Sequence, residues 1–343
     1  MKNTILSFVF VALLGAVGVN GQAVKVDSQT ISGLGARNIG SATMSGRVAA
    51  VAGAWEGDRL TIYVGSASGG VWKSINGGNT YKPVFDKTGV QSVGAVAIDP
   101  KNPKIVWVGT GESWTRNSVS VGDGVYRSVD GGENWTNMGL KESERIAKVI
   151  VDPRNSDNVF VCVTGKLWSD SDERGVYRTT DAGKTWTKVL RGANASTGCG
   201  MLAMDPADSK TLYASMWDFR RQGWTFRSGG PSETAPSGSG LFKSTDGGTT
   251  WKELSDSSVN NGLPPKPWGR TALAVAPSNP KVVYATIEAA MPSNGLYRSD
   301  DGGKTWAALD RSQMTVWRPF YFSNLIVDPK DENRVYKAGG SLI

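Results

Sequence analysis

Histidine is missing from all 343 residues. That excludes Ser-His-Asp and Cys-His catalysis and any imidazole-ligated metal. Cysteine is nearly as scarce, since Cys162 and Cys199 alone cannot build a structural zinc site. Two readings of the pair stay open: one disulfide in an exported chain, or two buried thiols. Neither a metal nor another cofactor is expected. Basic runs are lacking too, although the formal net charge is +7. Lys and Arg stand singly beside strand-like segments, as in Val125-Tyr126-Arg127-Ser128 and Leu241-Phe242-Lys243-Ser244, and read as solvated positions. With no basic tail or helix, nucleic acid is not an expected partner. No segment beyond the N-terminus is apolar enough to span a bilayer.

The N-terminus reads as a targeting segment. Lys2 supplies the positive end, and Ile5 to Val19 is an apolar stretch too short for a stable span. Val19-Asn20-Gly21 offers small residues before a cut ahead of Gln22, and no cysteine follows to carry a lipoprotein anchor. Residues 1–21 are therefore expected to be a signal peptide and 22–45 a lead-in, with the mature protein secreted or periplasmic.

Glycine is plentiful, 43 in all, and spread evenly, so turns recur evenly. One pattern occurs five times. Its second copy is Gly124-Val125-Tyr126-Arg127-Ser128-Val129-Asp130-Gly131-Gly132-Glu133-Asn134-Trp135, and the others centre on Asn76, Asp181, Asp246 and Asp301. The spacings from Asn76 onward are 54, 51, 65 and 55, a period that marks a propeller or solenoid. Gly-Val-Tyr-Arg-Ser alternates like a strand. The Ser/Thr and Asp can bond the turn backbone, and glycine accepts positive φ. Trp then opens the returning strand and packs back over the turn. The first copy departs from the others, with Asn76 and Tyr81 in place of Asp and Trp.

A second pattern precedes each of these turns. Ala95-Val96-Ala97-Ile98-Asp99-Pro100 and Leu325-Ile326-Val327-Asp328-Pro329 are two copies. Such apolar runs suit inner strands covered on both faces, with Pro ending the strand at a turn. The expected fold is all-β: a β-propeller of four-stranded blades over 46–343. Blades start near 47, 93, 146, 200, 271 and 324, the sixth being incomplete. A propeller needs closure to remove its edges, so the sequence reads as a partial chain.

These turns resemble the Asp-boxes of BNR repeat proteins, and the chain is similar to a bacterial secreted branch related to the propeller of sortilin-type receptors. The resemblance also rests on Arg37-Asn38-Ile39-Gly40 with Ser45-Gly46-Arg47-Val48, on Val108-Gly109-Thr110-Gly111-Glu112, and on Gly122-Asp123-Gly124-Val125-Tyr126. It covers about residues 34 to 340. Sialidases and some xyloglucanases share Asp-boxes, so glycosyl hydrolase-like activity is implied by fold analogy, while the sortilin relatives imply peptide or protein binding. The Phe/Tyr-Arg-Ile-Pro start of sialidases is absent.

In such blades the long insertions gather on one face. There the sequence offers Glu112, Trp114, Trp168, Trp217, Arg221, Trp224 and Trp268 for a ligand, with Arg116, Trp317, Arg318 and Tyr321 nearby. Aromatic platforms with Arg and carboxylates suit a protein, peptide or carbohydrate ligand. A binding scaffold is the first reading. The alternative is a glycoside hydrolase using two carboxylates drawn from Glu112, Asp123, Asp172, Asp218 and Glu288. The box residues Asn76, Asp130, Asp181, Asp246 and Asp301 are expected to form turns. Arg47, Arg145 and Arg270 stand at inner-strand starts, but alternation puts Arg145 and Arg270 on opposite faces, so they read as ordinary strand-end charges. The longest insertion, Met216 to Gly240, reads as a loop without strands of its own, mobile in its Gly/Ser/Pro-rich second half.

Overall fold

The structure is a computed structural model that describes residues 47–115, 119–229, 237–256, 258–322 and 324–338. The expected signal peptide and lead-in, Arg37 to Gly46, and Arg116 lie outside the described residues, as do 230–236 within the longest insertion. No described helix is long and apolar enough to cross a membrane. The helical pieces in the described residues are 3-10 turns, Lys141–Ser143 and Gln313–Val316.

The rest is antiparallel sheet. β1 (Val48–Glu56), β2 (Arg59–Ser66), β3 (Val71–Ser74) and β4 (Lys82–Pro83) form the first sheet in sequence order. The second sheet is β5 (Val93–Ile98), β6 (Val106–Thr110), β7 (Val125–Ser128) and β8 (Thr136–Asn137). The third is β9 (Ile146–Asp152), β10 (Asn155–Val163), β11 (Gly175–Thr179) and β12 (Thr187–Leu190). β13 (Thr197–Met204), β14 (Leu212–Gln222), β16 (Gly240–Ser244) and β17 (Lys252–Glu253) make the fourth, with β15 (Thr225–Ser228) added to β14. The fifth holds β18 (Thr271–Val275), β19 (Val283–Ile287), β20 (Gly295–Ser299) and β21 (Ala307–Asp310), and β22 (Asn324–Val327) pairs with β23 (Val335–Ala338). The first strands of successive sheets pack side by side, and together they line a central cavity of about 670 Å³. This is a β-propeller.

Each box turn is closed by its own polar side chains. Ser128 Oγ donates to Asp130 Oδ1 (2.7 Å) and accepts from Gly132 N–H (2.7 Å), while Asp130 Oδ1 accepts from Asn134 N–H (3.0 Å). Asn76 makes the same turn in the first copy: its Oδ1 accepts from Ser74 Oγ (2.9 Å) and Thr80 N–H (3.0 Å). Hydrogen bonds from the Asn134 backbone and side chain hold the Asp130 carboxyl down at about 2, and the Thr179 and Thr185 hydroxyls do the same for Asp181. The turn backbone needs positive φ, taken by Gly131 at 72° and by Ala182 at 59° in the third box. A Cβ is strained there, so Ala182→Gly is expected to stabilise the protein by about 1 kcal/mol, read by urea unfolding.

The same turns join neighbouring sheets. Tyr63 Oη and Lys73 Nζ of the first sheet both donate to Gly131 O of the second, at 2.8 Å each. Lys73 also lies 5.5 Å from the Tyr63 ring centroid. Tyr213 and Lys243 repeat the arrangement on Gly302 O, at 2.9 and 2.7 Å. Arg127 over Trp107 (5.4 Å), Arg178 over Phe160 (5.5 Å) and Arg298 over Tyr284 (5.4 Å) complete the series. The lone basic residues read as solvated are therefore half-buried cations on aromatic faces. The box Trp reaches backward too: Trp135 Nε1 donates to Gly132 O (3.1 Å) and to Val84 O of the preceding sheet (2.7 Å). Cys162 of β10 and Cys199 of β13 form a disulfide between the third and fourth sheets, which decides between the two readings of the pair.

Candidate functional site

In each full sheet the box turn sits beside the first hairpin turn, as where Gly131 N–H donates to Lys104 O (2.8 Å) and Gly302 N–H to Lys281 O (2.8 Å). The long connections thus fall at the opposite ends of the strands. There the segment from Trp317 to Phe322, linking β21 to β22, draws several sheets together. Phe320 O accepts from Thr115 Oγ1 of the second sheet's loop (3.0 Å) and from Arg270 Nη1 of the fifth (2.9 Å). The Tyr321 ring meets Trp114 edge-on at 5.4 Å and Phe322 at 4.5 Å, and Phe322 stacks on Trp317 at 6.2 Å. Trp114 also borders the central cavity, so this aromatic cluster stands at the channel mouth.

Beneath the mouth lies a small core of Leu167, Trp217 and Phe219, with Phe226 and Phe320 against it. Arginines roof its rings. Arg174 sits 4.2 Å from the Phe219 centroid, Arg270 4.8 Å from Trp217 and Arg221 4.9 Å from Phe226. All three are buried, and burial lowers their pKa, Arg174 to about 9 and Arg270 to about 10. Arg221 Nη2 donates to Thr115 O (2.8 Å), tying the fourth sheet to the second.

The longest insertion differs from the expected strandless loop. β14 runs on to Gln222, turns through Gly223 and Trp224, and returns as β15, with Gln222 facing Thr225 and Phe219 facing Ser228. Alternation from Trp217 through Phe219 to Arg221 puts these side chains on one face and buries them. Trp217 is fully enclosed and its Nε1 donates to Ser228 Oγ (3.0 Å). Trp268 is likewise enclosed, with Nε1 on Pro264 O (3.1 Å) and Pro265 O (3.2 Å). Neither ring offers a face to a ligand. Trp224, 90% exposed at the hairpin tip, and Trp168, 49% exposed, do, and Trp114 is half-buried.

The five carboxylate candidates fall into different environments. Glu112 is fully buried and gripped by Arg47, Nε to Oε1 at 2.7 Å and Nη2 to Oε2 at 2.5 Å. That pairing raises the Arg47 pKa. Asp218 is also fully buried. Its Oδ1 accepts from Ser196 Oγ (2.6 Å) and Arg227 Nη1 (2.8 Å), and its Oδ2 from Asn194 Nδ2 (2.8 Å) and Gly238 N–H (3.1 Å). Burial pushes the Asp218 pKa up, but these bonds outweigh it and the net shift is downward. Asp123, half-buried, accepts from Tyr126 Oη (2.7 Å), and Asp172 is exposed. Glu288, just past β19, is half-buried. Its Oε2 accepts from Ser228 Oγ (2.6 Å) and Arg270 N–H (2.7 Å), and burial raises its pKa despite both bonds.

Arg145 and Arg270 do not differ in phase as counting suggested. β9 carries a bulge between Ile146 and Lys148, so one residue drops out of the alternation, whereas β18 pairs without a shift. Both arginines are buried, Arg145 on Glu144 (2.6 Å) and Arg270 on Trp217 and Phe320. Sequence reasoning passed over Ser228, Phe320 and Phe322, which carry no local motif.

The family model described as "Sortilin, neurotensin receptor 3" matches residues 123–262, and the BNR/Asp-box repeat model matches residues 297–308. A xyloglucanase of Paenibacillus sp is 23% identical over 74% of this chain and 30% of its own length. A xyloglucanase of Acetivibrio thermocellus is 24% identical over 73% of this chain and 37% of its own. The chain thus spans about a third of the relatives it matches. Among solved structures, the GH74 xyloglucanase of Xanthomonas campestris superposes with a TM-score of 0.58 at 22% identity, covering 85% of this chain and 44% of that one. The GH74 enzyme of Niastella koreensis gives 0.60 at 20% identity, covering 86% of this chain and 44% of its own. The chain is an Asp-box repeat β-propeller with a glycosyl hydrolase-like fold.

Proposed function

We propose that this chain is an exported, glycan-acting propeller that hydrolyses a β-glucan of the xyloglucan type, with Glu288 as general acid. The observation that carries the reading is Glu288 itself. Among the five candidates it is the carboxyl with a net upward pKa shift, caused by burial, beside the arginine-roofed core under the channel mouth. Burial favours its protonated form, the form that can give a proton to a leaving glycosidic oxygen. The mouth's aromatic cluster offers faces to sugar rings. The xyloglucanase relatives suggest the substrate class. Asp123 and Asp172 are the candidates left for the second carboxylate, because Glu112 and Asp218 are saturated by internal partners. The disulfide fits an oxidising compartment.

The second reading, a binding scaffold without hydrolysis, is favoured by that same saturation and by the exposed Trp168 and Trp224. Glu288→Gln separates the two. Under the hydrolase reading, turnover of xyloglucan oligosaccharides falls about a hundredfold while their affinity holds. Binding of the oligosaccharides by the unaltered chain with no turnover gives a glycan-binding scaffold, and no binding at all overturns the hydrolase reading and leaves a protein or peptide as the scaffold's ligand.

A further inference from the structure

The central channel is walled mainly by the first strands of the sheets and meets the loop face at Trp114. Val51, Val96, Ile150, Met201, Leu273 and Ile326 exemplify a lining that is apolar nearly throughout. Among the described lining residues one charged side chain breaks it, Lys148 of β9. Lys148 follows the β9 bulge, which re-aims the strand just where it borders the channel. The side chain is exposed to the channel's solvent, yet no described residue gives it an ion pair or hydrogen bond. This contrasts with the lysines of the box latches, which rest on rings and carbonyls. The surrounding apolar wall disfavours the ammonium and lowers its pKa, with no described carboxylate to oppose it.

An unpartnered cation in an apolar cavity of about 670 Å³ calls for an anion with an apolar body. We propose that the channel is a binding site for an aliphatic monocarboxylate, its carboxylate paired with Lys148 and its chain laid along the valine, methionine and leucine wall. One charge faces one charge, and the tail covers surface that otherwise contacts water. Glu288 and the Trp317–Phe322 segment are not among the described lining residues, and Trp114 is shared with the mouth.

The test uses the full chain and dodecanoate below its micelle concentration, followed by calorimetry. Dodecan-1-ol and dodecyltrimethylammonium serve as tail-matched controls. Dodecanoate is expected to bind, at least tenfold tighter than either control. Lys148→Met, which keeps the apolar volume, is expected to weaken it on the order of tenfold or more, and Lys148→Arg to stay within about threefold of the unaltered chain. Bound dodecanoate should also protect Lys148 from reductive methylation, read by peptide mass spectrometry on the unaltered protein. Protection of this kind needs no variant to fold. Equal binding of the alcohol, undiminished binding by Lys148→Met, or methylation of Lys148 at the same rate with and without dodecanoate would overturn the proposal.

Discussion

Asp218→Ala is expected to destabilise the protein by about 3–5 kcal/mol, the cost of breaking a buried ion pair from one side. The carboxylate joins three separate segments of the chain. Asn194 and Ser196 come from the link before β13, Arg227 from β15, and Gly238 from the approach to β16. Removing the carboxylate leaves an arginine, a hydroxyl, an amide and a backbone N–H facing an empty site in the interior. Asp218→Asn keeps the shape, but its amide nitrogen must face two donors, so an intermediate loss is expected. The pH dependence has a definite sign. The folded pKa lies below the ordinary aspartate value, so the stabilisation is complete above about pH 4. It is lost as pH falls through the folded value, and the gap between variant and parent should close with it. Urea unfolding at pH 7 and pH 3 measures both. A loss under about 1 kcal/mol at pH 7 would show that the network is dispensable.

What the sequence made legible was local and repeated. A box turn is closed by residues two and four positions apart, so five copies state one rule, and even Asn76 obeys it. The inner-strand turns behave alike: Asp99 Oδ1 accepts from Lys101 N–H (2.8 Å) and Asp152 Oδ1 from Arg154 N–H (2.9 Å). The candidate site was hidden because its contacts are non-local. Glu112 finds Arg47 across 65 residues, and Arg221 finds Thr115 across 106. No spacing rule tells an arginine bound for an aromatic face from one bound for water. Trp217 and Trp224 belong to one hairpin, yet the first is enclosed and the second 90% exposed. The hairpin itself had a signal in Gly223, flanked by alternating residues, which the length of the insertion outweighed. The β9 bulge had none, and it reversed the phase assigned to Arg145.

Replacing Cys162 and Cys199 together by alanine is expected to cost about 4 kcal/mol at 25 °C, the loop-closure value for 37 residues. The location makes the loss structural rather than peripheral. Both cysteines are fully buried in a cluster with Phe160, Val176, Leu202 and Leu212, which joins the third and fourth sheets. The first and second sheets, and the fourth and fifth, are held by a tyrosine, a lysine and a box glycine, as where Tyr63 and Lys73 share Gly131 O. Between the third and fourth sheets that latch is reduced. Phe160 has no hydroxyl to donate, although it still packs beneath Arg178. The disulfide therefore crosses a junction where one of the latch's polar bonds is missing. Restoring that bond should offset part of the loss. Phe160→Tyr places a hydroxyl where Tyr63 and Tyr213 carry theirs, toward the carbonyl of Gly247 in the box turn. In the alanine background it is expected to return about 1 kcal/mol, the net worth of one intramolecular hydrogen bond. Guanidinium unfolding of the parent, the double-alanine chain and the triple variant reads both steps. An unchanged midpoint in the double-alanine chain would mean that the latches alone hold this junction.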